Sequence, residues 1–215
     1  MKYTTVLFDM DGTILDTLDD LTDCVNYTMN VMGWPLKEKM QIRSYLGNGI
    51  RRLMELSVPD GVGEADFEKA FAIFKEYYDI HNQDKTAPYA GIVEVMAQLK
   101  EQGIKMAIVS NKVQSAVLAL RDQFFPYVEV ALGDLPGMAR KPEPDSCYKA
   151  LELLGSTKQE AVYVGDSEVD MLTAKNAGLD CITVLWGFRD KDYLVEKGAA
   201  VFAETAQELL AEILG

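Results

Sequence analysis

Asp9 and Asp11 sit one residue apart in "VLFDMDGT", at the end of an apolar run where a buried strand normally excludes charge. With a separation of two, their side chains can project to the same side of the chain while Met10 turns away, and Gly12 permits a sharp exit. A second carboxylate pair, Asp166 and Asp170, follows the apolar run "AVYVG" in "GDSEVD". Carboxylates converging from two strand ends repel one another and ask for a cation, and oxygen-only ligands with room for water favour magnesium. Polar groups that could hold an anion occur at comparable places. Ser110, Asn111 and Lys112 end "IKMAIVSNK", and Lys141 precedes "PEP", whose prolines favour a stiff loop followed by a helix start.

Three other chemistries fit the residues less well. "DMDG" resembles the opening of a calcium loop, but it follows a strand, and the twelfth loop position is Asp20 where that loop expects Glu. "GDS" at 165–167 lacks a histidine partner, since the single histidine, His81, precedes it within a helical stretch. A cysteine nucleophile with an arginine six positions on is absent: those positions hold Asn30, Leu153 and Gly187. Cys24, Cys147 and Cys181 have no paired spacing and read as small packing residues.

Strands are expected at "TTVLFD", 104–111, 127–132, 161–166 and 180–186, with a short sixth at 199–202. Helical periodicity separates them: Ile92, Val95, Met96 and Leu99; Val113 to Leu120; Tyr148, Leu151 and Leu154; Val169, Leu172 and Ala177. Strands alternating with single helices imply an α/β fold with a mostly parallel sheet covered on both faces. Such a sheet binds ligands beyond the carboxyl ends of its strands, where the acidic and polar residues above fall. Residues 16–83 show only helical patterns, such as Leu18, Leu21, Val25, Met29 and Phe67, Phe71, Phe74, Tyr78. The expected organisation is therefore a core of 1–15 and 84–215 with a helical domain of 16–83 inserted after strand one.

The chain has 215 residues, is 48% hydrophobic and carries a formal net charge of −13. That balance argues against nucleic acid and anionic membranes as partners, because no basic stripe exists to displace counterions. It leaves room for a small anionic ligand beside a cation and a few placed lysines. No apolar run approaches a membrane span, and "MKYTTVLF" is short and strand-like for a signal peptide, so a cytoplasmic protein is expected.

"DMDGT", "VSNK", the lysine of "KPEP" and "GDSEVD" resemble, in order and spacing, the four motifs of the haloacid dehalogenase superfamily, and the likeness spans essentially the whole chain. The segment after the first motif resembles that superfamily's helical cap on a Rossmann-like core, and "LDTLDDL" with "LGNGIRRLMEL" is most similar to its phosphoglycolate phosphatase branch. The resemblance implies a Mg2+-dependent phosphatase for a small phosphorylated metabolite, with Asp9 as nucleophile and Asp11 as the acid, then base. It gives the metal to Asp9, Asp11 through its main-chain carbonyl, Asp166 and, in support, Asp170. It gives the phosphoryl oxygens to Ser110, Asn111, Lys141 and Gly12, with Lys112 either joining them or facing solvent. Asp11 disfavours the dehalogenase reading, since halide needs no leaving-group acid.

Substrate choice would fall to the cap, by the same resemblance. Asn48, with Gly47 and Gly49, could offer main-chain N–H groups to an anion, and Arg51 or Arg52 could meet a carboxylate; the arginine pair reads equally as a solvated helix face. The expected substrate is 2-phosphoglycolate. Pyrophosphate, a nucleotide or sugar phosphate, and a phosphoglucomutase-like transfer remain open, as does a receiver-like or phospholigand-binding protein, and the state could be monomer or homodimer.

Overall fold

The computed structural model describes residues 2–215. Its elements run in the order β1 (Thr5–Phe8), β2 (Leu15–Asp16), α1 (Leu18–Met32), α2 (Lys39–Tyr45), α3 (Gly49–Ser57), α4 (Glu64–His81), β3 (Ala87–Pro88) and α5 (Ile92–Glu101). Then follow β4 (Lys105–Val113), α6 (Gln114–Phe124), β5 (Val130–Asp134), α7 (Asp145–Leu154), β6 (Ala161–Gly165), α8 (Glu168–Ala177), β7 (Asp180–Val184), α9 (Lys191–Glu196), β8 (Phe202–Ala203) and α10 (Ala206–Leu214).

The chain divides into two compact units, one of residues 1–15 and 88–215, the other Asp16–Ala87. The first is an α/β unit with a six-stranded sheet in the order β5-β4-β1-β6-β7-β8, parallel throughout. β1 is central: Thr5 to Phe8 register against Lys105 to Ile108 on one side and Ala161 to Val164 on the other. Strand alternation divides the core between two faces. Val6, Phe8, Ile108, Val162 and Val164 pack with α5, α6 and α10 residues such as Met96, Val117 and Leu209. Leu7, Ala107, Val109 and Tyr163 join Cys147, Ala150 and Leu151 of α7 and Ala174 and Ala177 of α8. Both faces being covered, the strands read as near-continuous apolar runs, and polar residues are confined to their ends.

The segment 127–132 departs from its strand expectation in its first half. Val128 N donates to Phe125 O in a turn, and the strand begins at Val130. Val128 is nevertheless buried in the core, so an apolar alternation arose from a turn residue and a strand residue facing the same interior.

The second unit is helical. The stripe Leu21, Cys24, Val25, Thr28 and Met29 of α1 is buried, as are Phe67, Ala70, Phe71, Phe74 and Tyr78 of α4, which packs on α1. Lys85 and Thr86 stay with this unit because buried Asp20 holds them: its carboxylate accepts from Lys85 N (2.9 Å), Thr86 N (2.9 Å) and Thr86 Oγ1 (2.7 Å). β2 and β3, where the chain leaves the sheet and returns, pair with each other. Among the described residues no helix is long and apolar enough to cross a membrane.

Candidate active site

Asp9 prolongs β1 by one ladder bond, its N–H donating to Val164 O at 2.9 Å, so its side chain leaves from a fixed strand end. The chain then turns tightly, with Met10 O accepting from the N–H groups of Thr13, Ile14 and Leu15. Gly12 makes the turn at φ +85°, and a Cβ there would come within 2.5 Å of Asp166 Oδ2. Only glycine allows the first strand end to approach the carboxylate at the fourth motif this closely.

Lys141 is the centre of the site. Its buried ammonium lies 2.8 Å from Asp9 Oδ1, 2.8 Å from Asp170 Oδ1 and 3.1 Å from the Tyr163 hydroxyl. Its backbone is clamped by Asn111, whose amide donates to Lys141 O (3.1 Å) while its oxygen accepts from Lys141 N (2.9 Å). The Asn111 side chain therefore positions the lysine. Ser110 Oγ accepts from Lys112 N at 3.2 Å. Lys112 turns inward: its side chain is buried, and Nζ lies 3.0 Å from Asp11 Oδ1.

Asp166 immediately precedes the N-cap of α8 and Asp170 lies in its first turn. Ser167 caps the helix, and Asp170 Oδ2 accepts from Asp166 N, Ser167 N and Ser167 Oγ, a reciprocal box that fixes the Asp170 carboxylate. Asp166 Oδ1 accepts from Thr13 Oγ1 (3.1 Å) and Oδ2 from Phe188 N (2.7 Å).

Asp9, Asp166 and Asp170 each present a carboxylate oxygen within 4.8 Å of the others, all buried. Ionised together they would leave two negative charges beyond the single Lys141 ammonium. The protein answers by proton uptake. Burial, with the Asp170 charge, holds Asp9 well above the usual carboxylate range and pushes Asp166 up to about 7. Burial also opposes ionisation of Asp170, but Lys141 and the Ser167 hydrogen bonds outweigh it and hold that carboxyl low. Burial opposes the Lys141 charge in turn, and the Asp170 and Asp9 carboxylates more than offset it. An all-oxygen set with a deficit of two positive charges fits a hard divalent cation such as Mg2+.

The cap candidates belong to the helical unit, Asp16–Ala87. In the helical unit Asn48 precedes α3 and Gly49 begins it; the side chain of Asn48 does not cap the helix. Arg51 bridges α3 to α4 through Glu68, with Glu55 and Glu64 nearby at 3.6 and 3.7 Å, and lies over the Phe67 and Phe71 rings. Arg52 pairs with Glu55. Thus both arginines are engaged within their own unit. His81 stacks on Tyr77 and meets Asp84. Burial pushes the Cys147 and Cys181 thiols up to about 12, leaving neither as a nucleophile near neutral pH.

Thr13, Tyr163 and Phe188 carry no signal of their own in the sequence, whereas Ser167 stands beside Asp166 after an apolar run and opens the capping pattern Ser-x-x-Asp ahead of a helix.

Comparison with known proteins gives a consistent assignment. Residues 6–184 match the family model described as haloacid dehalogenase-like hydrolase. Phosphoglycolate phosphatase 1 of Pseudomonas aeruginosa is 32% identical over 213 residues, covering 95% of this chain and 78% of the relative. A protein of Caldanaerobacter subterraneus subsp. tengcongensis, provisionally named pyrophosphatase PpaX, is 33% identical and covers 100% of this chain and 96% of its own. A crystal structure from Lactobacillus delbrueckii subsp. bulgaricus, provisionally named a phosphoglycolate phosphatase, superposes with a TM-score of 0.95 at 37% identity, covering all of both chains.

Proposed function

The chain belongs to the haloacid dehalogenase-like hydrolases, and on that premise we propose that it is a Mg2+-dependent phosphatase acting on a small phosphomonoester, with 2-phosphoglycolate its best-supported substrate. The observation that carries this reading is Lys141 bridging Asp9 and Asp170 while Asp11, two residues on, is held separately by Lys112. One carboxylate is thus oriented for attack and a second is kept apart for proton transfer.

In the first step an Asp9 oxygen attacks phosphorus in line, the new P–O bond forming as the ester P–O bond breaks, and Asp11 delivers its proton to the departing oxygen. In the second, Asp11 takes a proton from water as that water attacks the aspartyl-phosphate, releasing phosphate and free Asp9. Lys141 orients Asp9 and offers positive charge to the phosphoryl oxygens, and the Ser110 hydroxyl is a further donor for them. Asp9, Asp166 and the Asp11 carbonyl would hold Mg2+, with Asp170 behind them, and the ion when bound supplies charge that offsets the phosphoryl oxygens.

A pyrophosphatase is the second reading, favoured by the relative of that name. Phosphate release from 2-phosphoglycolate, pyrophosphate, nucleotide monophosphates and sugar phosphates, each with Mg2+ and with chelator, separates the two. Preference for 2-phosphoglycolate by about a hundredfold, near 2.7 kcal/mol, is the expected result; preference for pyrophosphate replaces that substrate, and no Mg2+-dependent release from any of them overturns the phosphatase reading.

A further inference from the structure

The loop after β7, "LWGFRD", carries no motif, yet three of its residues converge on Asp166. Phe188 N donates directly to Asp166 Oδ2 at 2.7 Å. Trp186 Nε1 donates to Thr13 O at 2.9 Å, and Thr13 Oγ1 in turn donates to Asp166 Oδ1. Gly187 packs so closely that a Cβ would lie 2.3 Å from the Asp166 Cβ and 2.5 Å from Gly12 O. Both oxygens of this carboxylate are therefore oriented by the loop, one directly and one through Thr13.

The next residue fastens the loop down. Arg189 grips Glu168 with two hydrogen bonds, Nε to Oε2 at 2.7 Å and Nη2 to Oε1 at 3.1 Å, and the Arg189 side chain is only 10% exposed. Glu168 lies two residues after Asp166, and Arg189 one residue after Phe188. The pair thus closes a ring that runs Asp166, Ser167, Glu168, Arg189, Phe188 and back to Asp166. A planar guanidinium held at two points fixes orientation as well as distance, which an ammonium in its place could not.

We infer that Trp186–Arg189 is a strap that orients Asp166 for cation binding, and that Arg189 and Glu168 are its positioning pair. Mg2+ tolerates little departure from octahedral geometry, and groups that orient a ligand typically change metal affinity by about 10- to 100-fold when removed. The inference rests on the reading that Asp166 holds the cation.

The test is Mn2+ binding measured by the electron paramagnetic resonance signal of the free ion, at one fixed pH. The charge-neutral double variant Glu168→Gln/Arg189→Gln separates orientation from local field, since it removes one charge of each sign. Binding about tenfold weaker than wild type, with Arg189→Lys also weakened and phosphate release recovering at saturating Mg2+, is the expected pattern. Recovery at saturation also shows that the variant has folded. Wild-type Mn2+ affinity in the double variant overturns the strap. Asp166→Asn is the control for the premise: if it binds Mn2+ as wild type does, the assignment of Asp166 as a ligand fails, whatever the double variant shows.

Discussion

Lys112 Nζ lies 3.0 Å from Asp11 Oδ1, and the lysine side chain is 2% exposed while that of Asp11 is 23% exposed. In the proposed mechanism the more accessible partner is the one that would meet a leaving group, and the buried one would keep it in place. The ion pair thereby gives Asp11 an orientation distinct from that of Asp9, whose partner is Lys141.

Asp9→Asn is expected to abolish turnover with the fold intact, because phosphate monoester hydrolysis without a nucleophile is among the slowest reactions known. Phosphate release and circular dichroism on the same preparation check this. Substantial activity in a folded, clean variant would show that another group attacks phosphorus.

Asp11→Asn should lower kcat/KM by about 10²- to 10⁴-fold on an alkyl phosphate and much less on an activated aryl phosphate, whose leaving group needs no proton. Lys112→Met should show the same substrate pattern with a smaller loss, about tenfold, since it disturbs Asp11 and leaves its proton available. Equal losses of both variants on the two esters would mean that neither serves the leaving group.

In the cation-free protein, burial and Asp170 push Asp166 up to about 7, and Asp9 is raised as well. Unfolded aspartates titrate near ~4, so from there to about pH 7 the folded state binds more protons, and stability falls as pH rises through that window. Mg2+ must displace those protons, so the gain in Tm on adding Mg2+ should be larger at about pH 8 than at about pH 5.5. Melting curves with Mg2+ and with chelator at both values test it; identical gains would place cation binding away from these carboxylates.

Asp20 is buried and accepts from Lys85 N, Thr86 N and Thr86 Oγ1. Replacing it with Ala strands two main-chain donors and should destabilise the helical unit by about 3 kcal/mol. Urea unfolding followed by circular dichroism reads this loss, and a change below about 0.5 kcal/mol would show that water replaces the carboxylate without penalty.

The order of strands and helices was legible in the sequence because a sheet buried on both faces leaves polar residues only at its ends. Asp9, Ser110 and Asp166 announced themselves by interrupting apolar runs. Several of the groups around them did not. Tyr163 reads as a core aromatic within β6, and only its place behind Lys141 gives its hydroxyl a use. Asn111 and Lys112 differ in role although adjacent, since one faces the Lys141 backbone and the other Asp11, a distinction set by how β4 ends against other strands. The residues 186–189 carry no local signal because everything they touch at the site is 20 or more residues away.

The position of β1 also bears on how the protein is made. This strand precedes both of its partners along the chain and pairs on both sides, at 105–108 and 161–164. Until the second of these is translated, the central strand has an open edge and Asp9 lacks the Asp166 and Asp170 carboxylates beside it. Parallel pairings across such separations form late and slowly. An emerging chain that already contains Asp9, Asp11, Ser110 and Lys141 therefore lacks the buried carboxylate cluster until residues 161–170 have been made and paired with β1.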